Sequence, residues 1–328
     1  MPHPAWTPLH ARLHQTLRDR QFLPEKSKLL VAVSGGQDSL CLLKLLLDLQ
    51  PHWSWSLSVI HCNHGWRSDS AANAEQVRSL SQAWNLECYV EVADQPPLSE
   101  AAAREWRYYC FLHQAQAIHS SHIVTGHTAS DRAETLLHNL ARGSGADGLQ
   151  TLPWTRLLAA APQSCHLVRP LLGLTRQQTG EFCQALNLPV WEDSTNQDTT
   201  YRRNWIRQAL LPLLRSHLNP QVELHLNQTA EILSAEVTYL EQQASELRTQ
   251  AILGQPTKTL SRSILRPAPI ALQRRAIRQF IQDSLGIQPN FEQTEKVVAL
   301  IDAPHKSQTD PFPGGAIARV EQDRITLL

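Results

Sequence analysis

The sequence predicts an α/β fold in which a parallel sheet is followed by a smaller, mainly helical domain. In the first two thirds of the chain, short apolar runs alternate with longer amphipathic stretches, which is the pattern of parallel strands joined by helices. From about Leu218 the composition shifts to Gln, Leu, Ala, Glu and Arg at helical spacing. All nine Trp and all six Cys residues precede that point, which supports a division into two domains.

The first domain is predicted to contain four strands, each followed by a helix. LLVAV, at 29–33, is apolar without interruption and predicts a strand buried on both faces. The other strands are predicted at 57–61, 87–92 and 122–126, and the helices at 39–50, 70–85, 99–118, 131–141 and 175–186. The last helix begins at a capping Thr175 and ends before Asn187 and Pro189.

The helix stop SHLNP, at 216–220, predicts the domain boundary, which gives domains 1–216 and 217–328. Beyond it, 221–251 and 270–284 carry apolar residues at helical spacing, and AIARVEQDRITLL predicts a terminal hairpin. Apolar stripes of this kind indicate core packing rather than a ligand site.

Composition argues against several classes of protein. The 30 basic and 30 acidic residues give a net charge of zero, which is unusual for a nucleic-acid-binding protein, but 24 of the cations are Arg, which suits local phosphate recognition. No segment approaches the ~20 apolar residues that cross a bilayer. The chain start lacks a signal-peptide pattern, so a cytoplasmic protein is predicted. The six cysteines contain no CxxC pair, which predicts free thiols.

SGGQDS, at 34–39, lies where the first strand ends and a helix begins, and it predicts a phosphate-binding loop. Gly35 and Gly36 allow positive φ and close backbone approach, so successive N–H groups can converge on an anion. The helix N-terminus, Ser34 and Ser39 add donors, and Asp38 fits beside phosphates if it holds a bridging divalent cation. A tight turn capped by Ser or Asp is the structural alternative. No GxxxxGKS/T segment occurs, which excludes the mononucleotide P-loop.

Polar residues also follow the second strand and line one predicted helix. In HCNHGWR, Asn63 and His64 are candidates for nucleoside contacts and Arg67 for a phosphate, because ligands of open α/β sheets collect at the carboxyl ends of strands. Arg104 and Arg107 lie three apart on a helix and can face the same anion. A solvated polar surface is the alternative for both segments.

GHTASDRAET contains the densest group of candidate catalytic residues. Asp131 and Glu134 lie three apart at a helix start and therefore share a face. Two carboxylates there can hold Mg²⁺, orient an ammonium group or accept its proton, although helix capping is an alternative for Asp131. His127 precedes them at a strand end, where it can meet developing negative charge.

Two further segments are candidates for contacts with RNA. Arg142 is followed by Gly143 and Gly145 in a predicted flexible loop suited to contact a nucleotide or RNA, although a helix C-cap would also use Gly here. Residues 201–215 contain four Arg and no acidic residue, which suits RNA phosphates, with a solvated amphipathic helix as the alternative. The candidate contacts in this basic segment are Arg203, Asn204 and Arg207.

SGGxDS is similar to the signature of the PP-loop ATP pyrophosphatases, whose domains have an adenine nucleotide alpha hydrolase-like fold. HCNHGWR, AAAREWRY, GHTASDRAETLLHNLARGSGADGL, RPLL and EDSTNQDTTYRRNWIR, in that order, resemble the tRNA(Ile)-lysidine synthetases, strongly over 25–215 and weakly beyond. The resemblance implies a ligase that uses ATP to adenylate the C2 carbonyl oxygen of the wobble cytidine in tRNA(Ile) with a CAU anticodon. The ε-amine of free L-lysine then displaces AMP.

The resemblance also implies roles for individual residues. It implies catalytic residues at Asp38, His127, Asp131 and Glu134, with Asp38 as a ligand of Mg²⁺. It implies ATP contacts at Ser34, Gly35, Gly36, Gln37, Asp38, Ser39, Asn63, His64, Arg104 and Gly126, and substrate contacts at Arg67, Arg107, Arg142, Arg203, Asn204 and Arg207. Arg132 stands where many relatives carry Gln, and Trp66 where Leu is usual, so no family contact is transferred to these two positions. No membrane partner is implied, and a homodimer stays open.

Three other functions share part of this pattern. A tRNA-thiolating enzyme would use the same activation with sulfur as the nucleophile, but the CxxC motifs of some such enzymes are absent here. An amide-forming synthetase acting on a small molecule would often carry a glutamine-hydrolysing domain, which this sequence does not contain. A non-catalytic sensor would bind ATP without releasing pyrophosphate.

Overall fold

A computed structural model of the chain describes residues 6–160, 163–191, 202–254 and 258–328. The chain forms two compact units, Met1–Glu231 and Ile232–Leu328. The division falls inside one long helix, whereas the predicted boundary at 216–217 lies at the turn that precedes this helix. No helix in the described ranges is long and apolar enough to cross a membrane. All six cysteines are free thiols, as their spacing predicts.

The first unit contains a sheet whose six strands, within the described part of the chain, follow the order β3-β2-β1-β4-β6-β5. The strands are β1 Lys28–Ala32, β2 Ser56–Asn63, β3 Glu87–Val92, β4 His122–Thr125, β5 Thr155–Ala159 and β6 Cys165–Val168. All neighbours pair in parallel except β5, which is antiparallel to β6 at one edge. The four predicted strands are confirmed, and β5 and β6 extend the predicted sheet.

Helices cover both faces of this sheet, which explains the uninterrupted apolar sequence of β1. Leu29 and Val31 pack with the leucines of the helix that follows β1, while Leu30 packs on the opposite face with Phe111. The helices of this unit are α1 Pro8–Arg20, α2 Gln37–Trp53, α3 Ser70–Ala83, α4 Glu100–Ala117, α5 Ala129–Ala141, α6 Ala146–Leu149, α7 Arg176–Ala185, α8 Arg202–Trp205, α9 Leu211–His217 and the first part of α10 Val222–Ala251. One π-helical turn, Ile206–Leu210, joins α8 to α9.

The second unit has a separate core. Its helices after α10 are α11 Arg262–Leu265, α12 Ile270–Leu285 and α13 Phe291–Ala299, and its strands are β7 Thr259–Ser261, β8 Ala318–Glu321 and β9 Arg324–Leu327. β8 and β9 pair in antiparallel fashion, which confirms the predicted terminal hairpin, and β7 adds a third strand. Phe280, Ile277 and Ile325 are buried together between the helices and this small sheet.

The carboxyl ends of β1 and β4 meet at one edge of the sheet because these two strands are parallel neighbours. α2 and α5, which follow them, therefore begin side by side. Backbone atoms make the contact between the end of β4 and the first turn of α2, since a Cβ at Gly126 would lie 2.8 Å from the carbonyl oxygen of Asp38 and 3.0 Å from Cα of Ser39. Only glycine allows this approach.

Gly126→Ala should destabilise the first unit by about 1–3 kcal/mol, the usual cost of an overpacked site, because the added methyl meets backbone atoms that cannot rotate away. Urea unfolding at fixed pH measures this change. Gly173→Ala is the matched control, because its Cβ would meet only the Trp154 ring at 3.7 Å, an ordinary van der Waals contact. Equal effects of the two substitutions would contradict the close approach at Gly126.

Candidate active site

The loop 34–39 has the conformation expected of an anion-binding turn. Gly35 has φ +89° and is buried, and Gly36 is the N-cap residue of α2. No side chain caps this helix N-terminus, so its N–H groups and dipole are directed at the space beside the loop. The hydroxyl of Ser39 donates to the Gly36 carbonyl at 2.8 Å and lies 3.3 Å from the hydroxyl of Ser34, so the two serines brace the turn.

Neighbouring elements hold the same loop in place. The side-chain amide of Asn73, on α3, donates to the Ser34 carbonyl at 3.0 Å, and the backbone N–H of Trp191 donates to the Gly35 carbonyl at 2.9 Å. These two bonds use carbonyl groups of the loop, while the N–H groups of Ser34 and Gly36 donate to the Ser39 and Ser34 hydroxyls at 3.2 Å and 3.4 Å. Asn73 and Trp191 were not predicted as site residues, because nothing in the local sequence pattern indicates that they contact the loop.

Asp38 is engaged with α7. Its carboxylate accepts from Nη1 of Arg176 at 2.6 Å and from the hydroxyl of Thr179. Burial raises the pKa of Asp38, and Arg176 opposes that shift. The side-chain amide of Gln37 also turns towards α7 and donates to the Arg176 carbonyl at 2.7 Å. The predicted ATP contact of Gln37 is therefore limited to its backbone, because its side chain serves to fix α7.

Asp131 and Glu134 share one face of α5, as predicted, and both meet Arg207. Glu134 is buried and binds Arg207 through two parallel bonds, Nε to Oε1 at 2.6 Å and Nη2 to Oε2 at 2.9 Å. Nη2 of Arg207 also lies 3.7 Å from Oδ1 of Asp131. The other carboxylate oxygen of Asp131 accepts from the backbone N–H of Thr128 at 2.7 Å in a capping box. The capping and active-site interpretations of Asp131 are thus compatible, since each uses a different oxygen.

Asp38, Asp131 and Glu134 form one electrostatic cluster with Arg176 and Arg207, which is called the carboxylate cluster below. Burial raises the pKa of Glu134, and Arg207 and Arg176 oppose that shift. Burial alone would lower the pKa of Arg207, but Glu134, Asp131 and Asp38 together raise it. Three carboxylates and two guanidinium groups leave one negative charge within this cluster when all are ionised, and the positive charges of Arg104, Arg107 and Arg169 act on His127 beside it.

The same donor set fits Mg²⁺ in chemical type, because Mg²⁺ prefers carboxylate oxygens and shares its shell with phosphates and water. Asp38 and Asp131 are close enough for the charge of one to raise the pKa of the other. Within the described residues there is no group of three or more His, Cys, Asp or Glu side chains arranged to hold a metal ion. Two carboxylates would therefore need phosphate oxygens or water to complete the shell.

His127 lies among arginines at the end of β4. Burial lowers the pKa of His127 to about 4, and the positive charges of Arg169, Arg104 and Arg107 act in the same direction while Asp131 opposes them. Nδ1 of His127 is 2.9 Å from the hydroxyl of Thr125, which fixes the ring and leaves Nε2 for a ligand. The predicted pair Arg104 and Arg107, together with Arg169 of the segment RPLL, is therefore within electrostatic range of His127.

The segment after β2 is linked to the phosphate loop. Asn63 is buried, and its side-chain oxygen accepts from the N–H of Gly65 at 2.9 Å, so it shapes the turn in which His64 is half-buried. Arg67 pairs with Asp69 at 2.7 Å, and Asp69 accepts from the Trp191 indole at 3.3 Å. A contact of Arg67 with a phosphate would have to coexist with, or replace, its ion pair.

A second group of cations lies at the end of α5. Burial lowers the pKa of His138, and Arg142, Arg203 and Arg202 lower it further, so these side chains are near one another. The three arginines are exposed, as expected of an RNA-binding surface, whereas Asn204 is half-buried. Residues 192–201, the part EDSTNQDTTY of the segment EDSTNQDTTYRRNWIR, lie outside the described residues.

Arg207 does not share the exposed face of Arg203, although their spacing of four predicted that it would. The π-helical turn Ile206–Leu210 begins between them. Arg207 is directed onto Glu134, while Arg203 is exposed to solvent. The predicted contact of Arg207 with RNA phosphates therefore has no support from its position.

Known proteins are similar to this chain in sequence and in fold. A family model described as a PP-loop domain matches residues 7–214, and a model described as the TilS substrate binding domain matches 260–326. A tRNA(Ile)-lysidine synthase of Nostoc sp. is 55% identical over 98% of this chain and 97% of its own. One from Synechocystis sp. is 50% identical over 97% of both chains. The structure of the U34-tRNA thiolase NcsA from Methanococcus maripaludis, at 15% identity, covers 69% of this chain and 77% of its own with a TM-score of 0.57, and this likeness concerns the fold alone.

The lowered pKa of His127 predicts a pH-dependent component of stability. Unfolded histidine has a pKa near ~6.5, so between about 4 and 6.5 the unfolded chain binds a proton that the folded chain does not. Stability should therefore fall as pH decreases through this window and be constant above it. His127→Gln should reduce that slope in urea unfolding, while His217→Gln, on the surface, should leave it unchanged. An unaltered slope in His127→Gln would contradict the neutral imidazole.

Proposed function

The chain belongs to the tRNA(Ile)-lysidine synthase family, and we propose that it ligates lysine to C2 of the wobble cytidine of tRNA(Ile) with a CAU anticodon at the expense of ATP. First, the C2 carbonyl oxygen attacks the α-phosphate of ATP, the bond between the α- and β-phosphates breaks, and pyrophosphate leaves. The ε-amine of lysine then attacks C2, AMP leaves with the oxygen, and the amine loses a proton. The resulting lysidine pairs with A rather than G, which converts an AUG reader into an AUA reader.

One observation carries this proposal: the phosphate loop and the carboxylate cluster begin at the same edge of the sheet, on α2 and α5. The N–H groups of the loop and the uncapped start of α2 suit the β- and γ-phosphates that depart as pyrophosphate. Arg176, held against Asp38, supplies a positive charge beside them. The nucleotide, the cytidine and the amine can therefore meet at one place.

Asp131 and Glu134 are the proposed site for the lysine amine. They already face a cationic group, the Arg207 guanidinium, which Glu134 binds through two short charge-assisted bonds while Asp131 lies 3.7 Å away. A carboxylate with a raised pKa, such as Glu134, is suited to accept the proton that the amine loses during its attack. Arg207 would then keep Glu134 ionised before the amine arrives.

His127, Arg104 and Arg107 are proposed to act on the adenylation step. A neutral imidazole held by Thr125 can form a hydrogen bond to the cytidine or to the α-phosphate without competing for a proton. The positive charges of the two arginines would stabilise the negative charge that develops on the oxygens of the pentacoordinate phosphorus in the transition state. Asn63, His64 and Gly126 border the same strand ends and are the proposed neighbours of the adenosine.

Mg²⁺ is the proposed metal, and Asp38 with Asp131 would hold it. When bound, the ion would neutralise phosphate oxygens and so favour the departure of pyrophosphate. The role of the chain is to orient these carboxylates, Asp38 through Arg176 and Thr179 and Asp131 through the N–H of Thr128.

We test the carboxylates by measuring the two steps separately. Asp38→Asn should lower pyrophosphate release about 10²–10³-fold, as expected when one well-placed charged group is lost. Glu134→Gln should lower the incorporation of labelled lysine into tRNA by a similar factor while tRNA affinity is retained. Glu25→Gln, an exposed carboxylate, is the control. Lysine incorporation by Glu134→Gln within a few-fold of the wild-type rate would contradict the proposed role of Glu134. A loss of thermal stability without a loss of incorporation would mean that this residue is structural.

The exposed arginines near His138 are proposed to bind tRNA phosphates. Replacing Arg202 and Arg203 together with Ala should weaken tRNA binding and reduce the slope of log K against log salt by about 1–2, since each phosphate contact contributes ~0.7–0.9. Filter binding across a salt series measures the slope. Replacing Arg12 and Arg18, two exposed arginines of α1, is the charge-matched control. Arg207→Ala should leave the slope unchanged. A reduced slope in Arg207→Ala, with an unchanged slope in the Arg202 and Arg203 double variant, would show that the RNA lies against the carboxylate cluster.

A further inference from the structure

Residues 151–153 are bound by two buried arginines. Nε of Arg132, which is fully buried, donates to the carbonyl oxygens of Thr151 at 2.9 Å and of Leu152 at 3.1 Å. Nη1 of Arg169, also buried, donates to the carbonyl of Pro153 at 2.7 Å. Three consecutive backbone carbonyls are thus bound by guanidinium groups. Leu152 has φ +46°, a left-handed conformation that leucine adopts only when its surroundings enforce it.

The guanidinium of Arg132 has further partners on α10. Its Nη1 donates to Asn227 at 3.0 Å and to Glu231 at 3.1 Å. Glu231 also accepts from the Trp154 indole at 2.6 Å and from Arg20 at 2.9 Å. Arg132 therefore binds the backbone at 151–152 and the side chains of α10 at the same time, as only a guanidinium with several fixed donors can.

Arg132 lies on the face of α5 that is turned away from the carboxylate cluster. At about 100° per residue, Arg132 and Asn139 are seven apart and share a face, whereas Asp131 and Glu134 lie roughly 100° and 160° around the helix from Arg132. The side-chain amide of Asn139 donates to the carbonyl of Gly148 at 2.7 Å. The rear face of α5 thus holds the segment 143–150 through Asn139 and the residues that follow it through Arg132.

We propose that Arg132 is a positioning residue for the ligation reaction. It fixes the orientation of α5, and with it Asp131 and Glu134, and it fixes the C-terminal end of the glycine-containing loop 143–150. A Cβ at Gly143 or Gly145 would meet no atom within 4 Å, so these two glycines face open space, and Asn139 and Arg132 add side-chain anchors to the backbone hydrogen bonds of this segment. The inference rests on the proposed function of the two carboxylates, but the anchoring of the loop can be measured without any activity assay.

The test uses the full chain with Arg132→Met and Glu231→Gln combined. Methionine fills much of the arginine volume without donors, and the glutamine avoids leaving a buried carboxylate without its partner. We expect amide hydrogen exchange in 143–152 to accelerate at least about tenfold while exchange in β1 and α2 is unchanged. We expect single-turnover lysine incorporation at saturating ATP and tRNA to fall about tenfold or more, as small misplacements do, with the KM for ATP within about twofold.

Arg20→Gln is the matched control, because it removes the other guanidinium on Glu231 and leaves Arg132 in place. It should show wild-type exchange and turnover. Unchanged exchange in 143–152 of the double variant would overturn the inference. Wild-type turnover by the double variant at a temperature below its unfolding transition would overturn the inference as well, because Arg132 would then contribute stability alone. If Glu134→Gln proves fully active while the loop loses protection, the proposed function fails and the anchoring of the loop stands.

Discussion

The arrangement of the site depends on the close approach of two backbone segments, Gly126 and Asp38. Because β1 and β4 are parallel neighbours, both of their following helices start at one sheet edge. The missing side chain at Gly126 lets the strand end lie against the carbonyl group of Asp38. A larger residue would separate α2 from α5, and with them the phosphate loop from the carboxylates. Two-step chemistry on one nucleotide requires that these groups stay together.

Charge balance is the second constraint on the site. Burying carboxylates such as Asp38 and Glu134 is costly, and each is offset by an arginine from a distant part of the chain, Arg176 or Arg207. Removing one partner of a buried pair commonly costs about 3–5 kcal/mol, because the remaining charge stays buried without compensation. The same pairing leaves one negative charge within the carboxylate cluster. It also explains why Arg207, although part of a basic segment, is not available on the surface.

α5 connects these features. One face carries Asp131 and Glu134 towards the arginines, and a different face carries Arg132 and Asn139 towards the segment that follows the helix. Its C-terminal end brings His138 and Arg142 near the exposed arginines of α8. A single helix of 13 residues therefore fixes the proposed amine site and one part of the proposed RNA surface in relation to each other. A disturbance at Arg132 would reach both.

The sequence alone determined the features that depend on neighbouring residues. The glycine turn at 34–39, the strands, the capped helices and the shared face of Asp131 and Glu134 all follow from spacing along the chain. Tertiary structure decided the partners. Spacing shows that two residues share a face but not what that face meets, so Arg176, Arg169 and Trp191 were not predicted. β5 and β6 lack a clear alternation, and spacing along the chain does not show that Arg207 meets Glu134. These outcomes depend on contacts between residues that are tens of positions apart, and local periodicity contains no information about them.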